Sequence, residues 1–126
     1  LKNELNNPPR TYPDADSVIS DYGKIKLENN EMVSIFIDTS QECDVTAKPW
    51  GLYLGSSCNA RMKENGFKVG LVRGAQGKLF VNAVNEGKVA VFFEYLDEYD
   101  SKLICWLDEF DLASGDSEAI FDLIRN

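Results

Sequence analysis

The chain has 126 residues, 44% of them hydrophobic and 27% charged, which suits a single globular domain with a real core and argues against global disorder. Its 21 acids against 13 bases leave a net charge of −8, which opposes contact with nucleic-acid phosphate or anionic lipid headgroups. No apolar run approaches the roughly 18 residues needed to span a bilayer.

Residues 1–13 contain Asn6-Asn7-Pro8-Pro9 and read as an extended arm ahead of a single α+β domain over 14–126. Residues 1–10 are polar and have no secretory-signal character. A short N-terminal helix is predicted next: Asp14 caps it, Ala15, Val18, Ile19 and Tyr22 fall at helical spacing, and Gly23 ends it. The β-branched and aromatic run Met32 to Ile37 predicts a buried strand, and Trp50 to Leu54 a second strand after Pro49.

Phe67, Val69 and Leu71 alternate with Lys68 and Gly70, which is strand periodicity. Gly74-Ala75-Gln76-Gly77 turns the chain into a strand at Leu79 to Val84, and Asn85-Glu86-Gly87 turns it again into a strand from Lys88 to Tyr95. The acidic stretch Leu96 to Ser101 reads as a loop, Leu103 to Leu107 as a further strand, and Asp116 onward as a C-terminal helix with Ile120, Phe121, Leu123 and Ile124 on its apolar face. The expected fold is one mostly antiparallel sheet of five or six strands with an N-terminal and a C-terminal helix. Val33, Ile35, Ile37, Val69, Leu71, Val81, Val89, Val91, Leu103 and Cys105 are its expected core.

Chemical motifs are scarce. There is no histidine, which excludes Ser–His–Asp and Cys–His nucleophilic systems and His-based metal sites. Cys43, Cys58 and Cys105 have no metal or disulfide spacing. Cys105 reads as a buried thiol, and a Cys43–Cys58 bridge is compatible only with export, so a reducing cytoplasm is the expected compartment. Gly70 to Lys78 has glycines and a terminal lysine, but Leu79 follows where a phosphate loop needs Ser or Thr heading a helix, so a hairpin turn is the better reading. Glu86-Gly87-Lys88 has the Glu-x-Lys spacing of metal-dependent nucleases, yet three common residues in that order arise easily by chance. Cys58 lies near Arg61 and Lys63, which favours a thiolate, but it has no histidine partner.

Charge distribution is more informative. Residues 86–126 hold eleven acids against Lys88, Lys102 and Arg125, a balance of −8, whereas 48–85 carry six bases against Glu64 alone, a balance of +5. Within the acidic third, Phe92, Phe93, Tyr95, Tyr99, Trp106 and Phe110 interleave with carboxylates. Aromatic anchors surrounded by acids make a surface suited to a basic protein. The expected contact residues are Glu94, Tyr95, Asp97, Glu98, Tyr99, Asp100, Asp108, Glu109 and Asp111. This profile resembles that of toxin-immunity proteins as a functional class. The expected function is therefore a non-enzymatic inhibitor of a basic, nuclease-like partner, needing no catalytic residue, cofactor or metal. The alternatives are a small metal-dependent enzyme using Glu86, Glu94 and Asp108, and an assembly module of a larger complex.

Overall fold

A computed structural model describes residues 1–37, 41–55 and 57–110. Strands account for 55% of it, in three small sheets, with one substantial helix. The strands are β1 (Lys2–Asp14), β2 (Ser17–Lys26), β3 (Met32–Phe36), β4 (Glu42–Lys48), β5 (Gly51–Leu54), β6 (Phe67–Arg73), β7 (Leu79–Asn85) and β8 (Lys102–Trp106). The one-turn helix α1 (Arg61–Glu64) precedes β6, and α2 (Val89–Glu98) lies between β7 and β8. The chain divides into two compact units, Leu1–Val33 with Val45–Tyr53, and Ser34–Asp44 with the chain from Leu54 onward.

In the first unit β1 and β2 form an antiparallel hairpin closed at Ala15 and Asp16. This overturns the expected N-terminal helix. The apolar residues spaced for a helix are strand residues instead: Tyr12 pairs with Ile19 and Pro13 with Val18, and Val18, Ile19 and Tyr22 remain exposed. An isolated helix that short is marginal, whereas β-branched residues gain a cross-strand partner from the preceding segment. The hairpin is interrupted between Leu5 and Arg10, where Pro8 and Pro9 have no N–H to give a ladder. Opposite the break, Gly23 has φ 114° and lies so close to the Glu4 carbonyl that a Cβ has no room. Asp21 accepts from the Gly23 N–H at 2.9 Å and pairs with Arg10 at 2.7 Å. Those two contacts, in that order of size, hold its carboxyl below the ordinary aspartate range.

The strands β3, β4 and β5 make a three-stranded sheet with β4 in the middle. Ile35 and Ile37, expected in the core, are each more than half exposed.

The second unit is organised by β6. Its sheet has the order β7-β6-β8, and both pairings are antiparallel. The predicted β6–β7 hairpin is present, with Phe67 opposite Asn85 and Arg73 opposite Leu79. The third strand of the expected meander is absent: residues 89–98 are helical, and β8 pairs with the other edge of β6. Because side chains alternate along β6, its two faces bury different neighbours. Phe67 and Val69 pack with Met62 of α1, joined by Cys43, Cys58 and Leu107. On the other face Gly70 lies beneath Leu103 and Trp106, where a Cβ would meet Leu103 at 2.9 Å. Trp106 in turn packs against Phe92 and Phe93 of α2, with ring centroids 5.9 and 6.3 Å away.

Val89 to Tyr95 looks like a strand because it is β-branched and aromatic, a preference that tertiary context overrides here. The residues withdrawn from solvent are Val89, Phe92, Leu96 and Tyr99, which is helical spacing. Asn85 starts the turn into the helix, its side chain accepting from the Gly87 N–H at 2.9 Å. At the far end Asp100 takes φ 51°, with Asp100 N–H donating to Asp97 O and Ser101 N–H to Leu96 O. That is the left-handed C-terminal cap usually made by glycine. The stretch expected as an acidic loop is thus the last turn and cap of α2. The predicted C-terminal helix at 116–126 lies outside the described residues. Because the N-terminal segment is a hairpin and not a helix, the expected α+β sheet with two terminal helices does not fit, and the described residues form three small sheets with α2.

Core positions follow from this topology. Phe67→Ala removes a ring that is 2% exposed and should cost about 3–5 kcal/mol. Val91, expected inside, is 57% exposed, so Val91→Asp should leave the free energy of unfolding in urea within about 0.5 kcal/mol of wild type. Equilibrium denaturation of the two variants checks the assignment, and a collapse of Val91→Asp would restore the strand reading.

Candidate partner-binding surface

The acidic residues singled out in the sequence separate into two groups. The first belongs to α2. With Val89, Phe92 and Leu96 turned toward the sheet, the opposite side exposes Val91, Glu94, Tyr95 and Glu98, at helical intervals of three and four residues. Asp97 and Asp100 are exposed beside this stripe. Tyr95 is about half exposed, and its ring lies 4.7 Å from that of the less exposed Tyr99. Glu94, Asp97, Glu98 and Asp100 make no ion pair within 4.0 Å among the described residues, and the last turn of α2 has no basic residue.

The second group behaves differently. Asp108, expected on the outer surface, is 3% exposed. One carboxylate oxygen accepts from the Val69 N–H at 2.8 Å, and the other binds Lys68 Nζ at 3.1 Å. The aspartate thus satisfies a buried backbone donor of β6 and faces inward, which removes it from any outer docking surface. Glu109 is exposed but is engaged by Lys68 Nζ, also at 3.1 Å. The lysine lies 4.8 Å from the centroid of the Trp106 ring. Partial burial opposes its charge, but hydrogen bonds to Glu109 and Asp108 outweigh this and raise its pKa above that of an ordinary lysine. Lys68 was not among the expected site residues. The alternation of Phe67, Val69 and Leu71 does set it on the other face of β6, but nothing local ties it to an acid forty positions later. Asp111 lies outside the described residues.

Glu86, Glu94 and Asp108 do not come together as the metal-enzyme alternative requires. Glu86 is exposed in the turn entering α2, Glu94 is on its outer side, and Asp108 is committed to Lys68 and Val69. Among the described residues no group of three or more Asp, Glu, Cys or His side chains could hold a metal ion. Cys43, Cys58 and Cys105 are free thiols, and burial raises the pKa of Cys43, with help from Asp44, and of Cys105. Among the described residues no helix is long and apolar enough to cross a membrane. The chain matches no protein-family model, no curated protein and no solved structure.

The Lys68–Asp108 pair makes a stability prediction. Asp108→Ala leaves the Val69 N–H without its acceptor and should cost about 2–3 kcal/mol. The folded-state pKa of Lys68 is raised, so its contribution is fully present below the unfolded lysine pKa and is lost as pH rises through the folded value, above 10.5. Denaturant melts across that alkaline window should fall more steeply for wild type than for Lys68→Met; equal slopes would show that the pair contributes nothing.

Proposed function

We propose that this chain is a non-enzymatic binding protein that docks a basic protein through the outer side of α2, acting as an immunity- or antitoxin-type inhibitor of a nuclease-like partner in the cytoplasm. One observation carries the reading: Asp97, Glu98 and Asp100, with Glu94 just before them, crowd the C-terminal end of a helix and have no ion-pair partner among the described residues. The helix dipole makes that end electronegative, so negative charge there is unfavourable by up to about 1 kcal/mol per group. Glu94 also repels Asp97 at i+3 and Glu98 at i+4. The arrangement opposes the stability of α2, and a cation delivered by a partner relieves it. Val91 and Tyr95 supply the apolar centre that acids alone lack, and carboxylates around an aromatic anchor match Arg and Lys side chains that grip phosphate in a nuclease. The mechanism is occlusion with charge complementarity, the carboxylates standing where nucleic-acid phosphates would bind.

The test is binding to a panel of purified basic nuclease domains, measured at about 0.05 and 0.5 M salt, where screening lengths differ severalfold. Wild type should capture a member of the panel and inhibit it, with association slowing sharply at high salt. Glu94→Lys with Asp97→Lys and Glu98→Lys should slow association further and flatten the salt dependence. Tyr95→Ala should raise the dissociation rate about tenfold or more, as for a hot spot of roughly 2 kcal/mol. Unchanged rates in both variants would remove α2 from the interface. Metal-stimulated turnover by the chain itself, lost in Glu86→Ala, would favour the enzyme.

A further inference from the structure

The cations of this acidic chain are not all used alike. Arg61 binds Glu42 at 2.5 Å and Asp44 at 3.3 Å, and Lys68 binds Asp108 and Glu109. Arg73 and Lys102 differ. They are direct cross-strand partners where β6 meets β8, so two positive side chains stand opposite each other, an unfavourable juxtaposition in an antiparallel pair. Neither has a carboxylate within 4.0 Å among the described residues. Both line a hollow of about 400 Å³ with Gly74, Ala75, Gln76, Asp100 and Ile104.

The floor of this hollow is set by the β6–β7 turn. Gln76 has φ 70° and ψ 14°, a left-handed conformation uncommon for a residue other than Gly, Asn or Asp. Gly74 has no room for a side chain, since a Cβ would meet the Phe80 ring at 2.7 Å. The turn is held by Gly74 N–H to Lys78 O at 2.7 Å and by Gly77 N–H to Gly74 O at 3.2 Å. A backbone conformation uncommon for its residue and a like-charge pair are both costs, and they meet at one concave place. Asp100 adds one negative charge, so the hollow is net positive by one within a protein of net charge −8. Had the two cations served only to offset the acids ending α2, Asp100 in the same hollow would be their ion-pair partner, and it is not.

We propose that Arg73 and Lys102 form a binding site for the oxyanion group of a small molecule, a phosphate or a carboxylate. The guanidinium takes two oxygens in a fork, the ammonium acts as a point charge, and the Gln76 amide is the neutral donor. The phosphate-loop look of Gly70 to Lys78 has no part in this, because the donors are side chains of paired strands. The site does not depend on partner docking at α2, and either can fail without the other.

The experiment is isothermal titration and thermal melting of the full chain with pyrophosphate and, separately, citrate as probes. Wild type should bind at least one of them and melt higher in its presence. Whichever binds more tightly assigns the group as phosphate or carboxylate. Arg73→Gln and Lys102→Gln should each weaken binding at least tenfold, as expected for loss of a charge-assisted hydrogen bond. Lys102→Gln without ligand should melt at or above wild type, since it removes the cross-strand repulsion; this shows that the lost binding is not a folding defect. Lys102→Glu should melt higher still and bind neither probe. No binding of either probe at millimolar concentration, or equal binding by wild type and both Gln variants, would overturn the proposal.

Discussion

Burial of β6 on both faces is the constraint on which the second unit depends. A strand in the middle of a three-stranded sheet has its backbone groups satisfied by its neighbours, but its side chains need cover above and below. Phe67 and Val69 receive it from Met62, and Gly70 and Lys68 from Trp106, which is itself held by Phe92 and Phe93. The pairing of β6 with β8 ends where Gly70 meets Trp106, so beyond it the Val69 N–H has no strand partner and takes Asp108 instead. The chain thus spends a carboxylate to finish a ladder, and Lys68 balances that buried charge. The helix α2 covers Trp106 through Phe92 and Phe93, and Val91, Glu94, Tyr95 and Glu98 on its other side are exposed.

Much of this was legible in the sequence, for identifiable reasons. The β6–β7 hairpin showed itself through alternation around Lys68 and Gly70 and through the glycines of its turn, which are local signals. The strands β3, β5 and β8 were visible as β-branched or aromatic runs bounded by polar residues. The helix α2 was hidden because its run from Val89 to Tyr95 satisfies a strand by composition and a helix by spacing, and short apolar runs do not decide between them. A cap at Asn85 and the interval from Val89 through Phe92 and Leu96 to Tyr99 were present, but Glu86-Gly87 also fits a turn. The hairpin β1–β2 was lost for the opposite reason. Its apolar residues happen to fall at helical spacing, while their partners lie in a proline-containing segment that looks unpaired until the strands are seen together.

The candidate surface divides along the same line between local and distant information. Glu94, Tyr95, Asp97 and Glu98 are close in sequence, and a helix brings three of them onto one side with Val91. Asp108 looked equivalent in composition, yet it faces inward because a backbone donor and a lysine some forty residues earlier claim it. Acidity alone does not distinguish a carboxylate that completes the fold from one that faces outward; only the identity of its partner does.

That distinction extends to the cations. Surface charges that serve only solubility can relax into ion pairs where opposite charges are within reach, as Lys26 with Glu4, Arg10 with Asp21 and Arg61 with Glu42 do here. Such pairs are individually weak, so forming them is easy rather than strongly driven. Asp100 lines the same hollow as Arg73 and Lys102, yet among the described residues the acids ending α2 make no ion pair with these cations. Each group also disfavours its own element, the acids by lying at the negative end of a helix and the cations by facing one another across a strand pair. The two groups, opposite in sign and each placed where it costs the fold, make no ion pair with each other among the described residues, which is why they are proposed as separate sites.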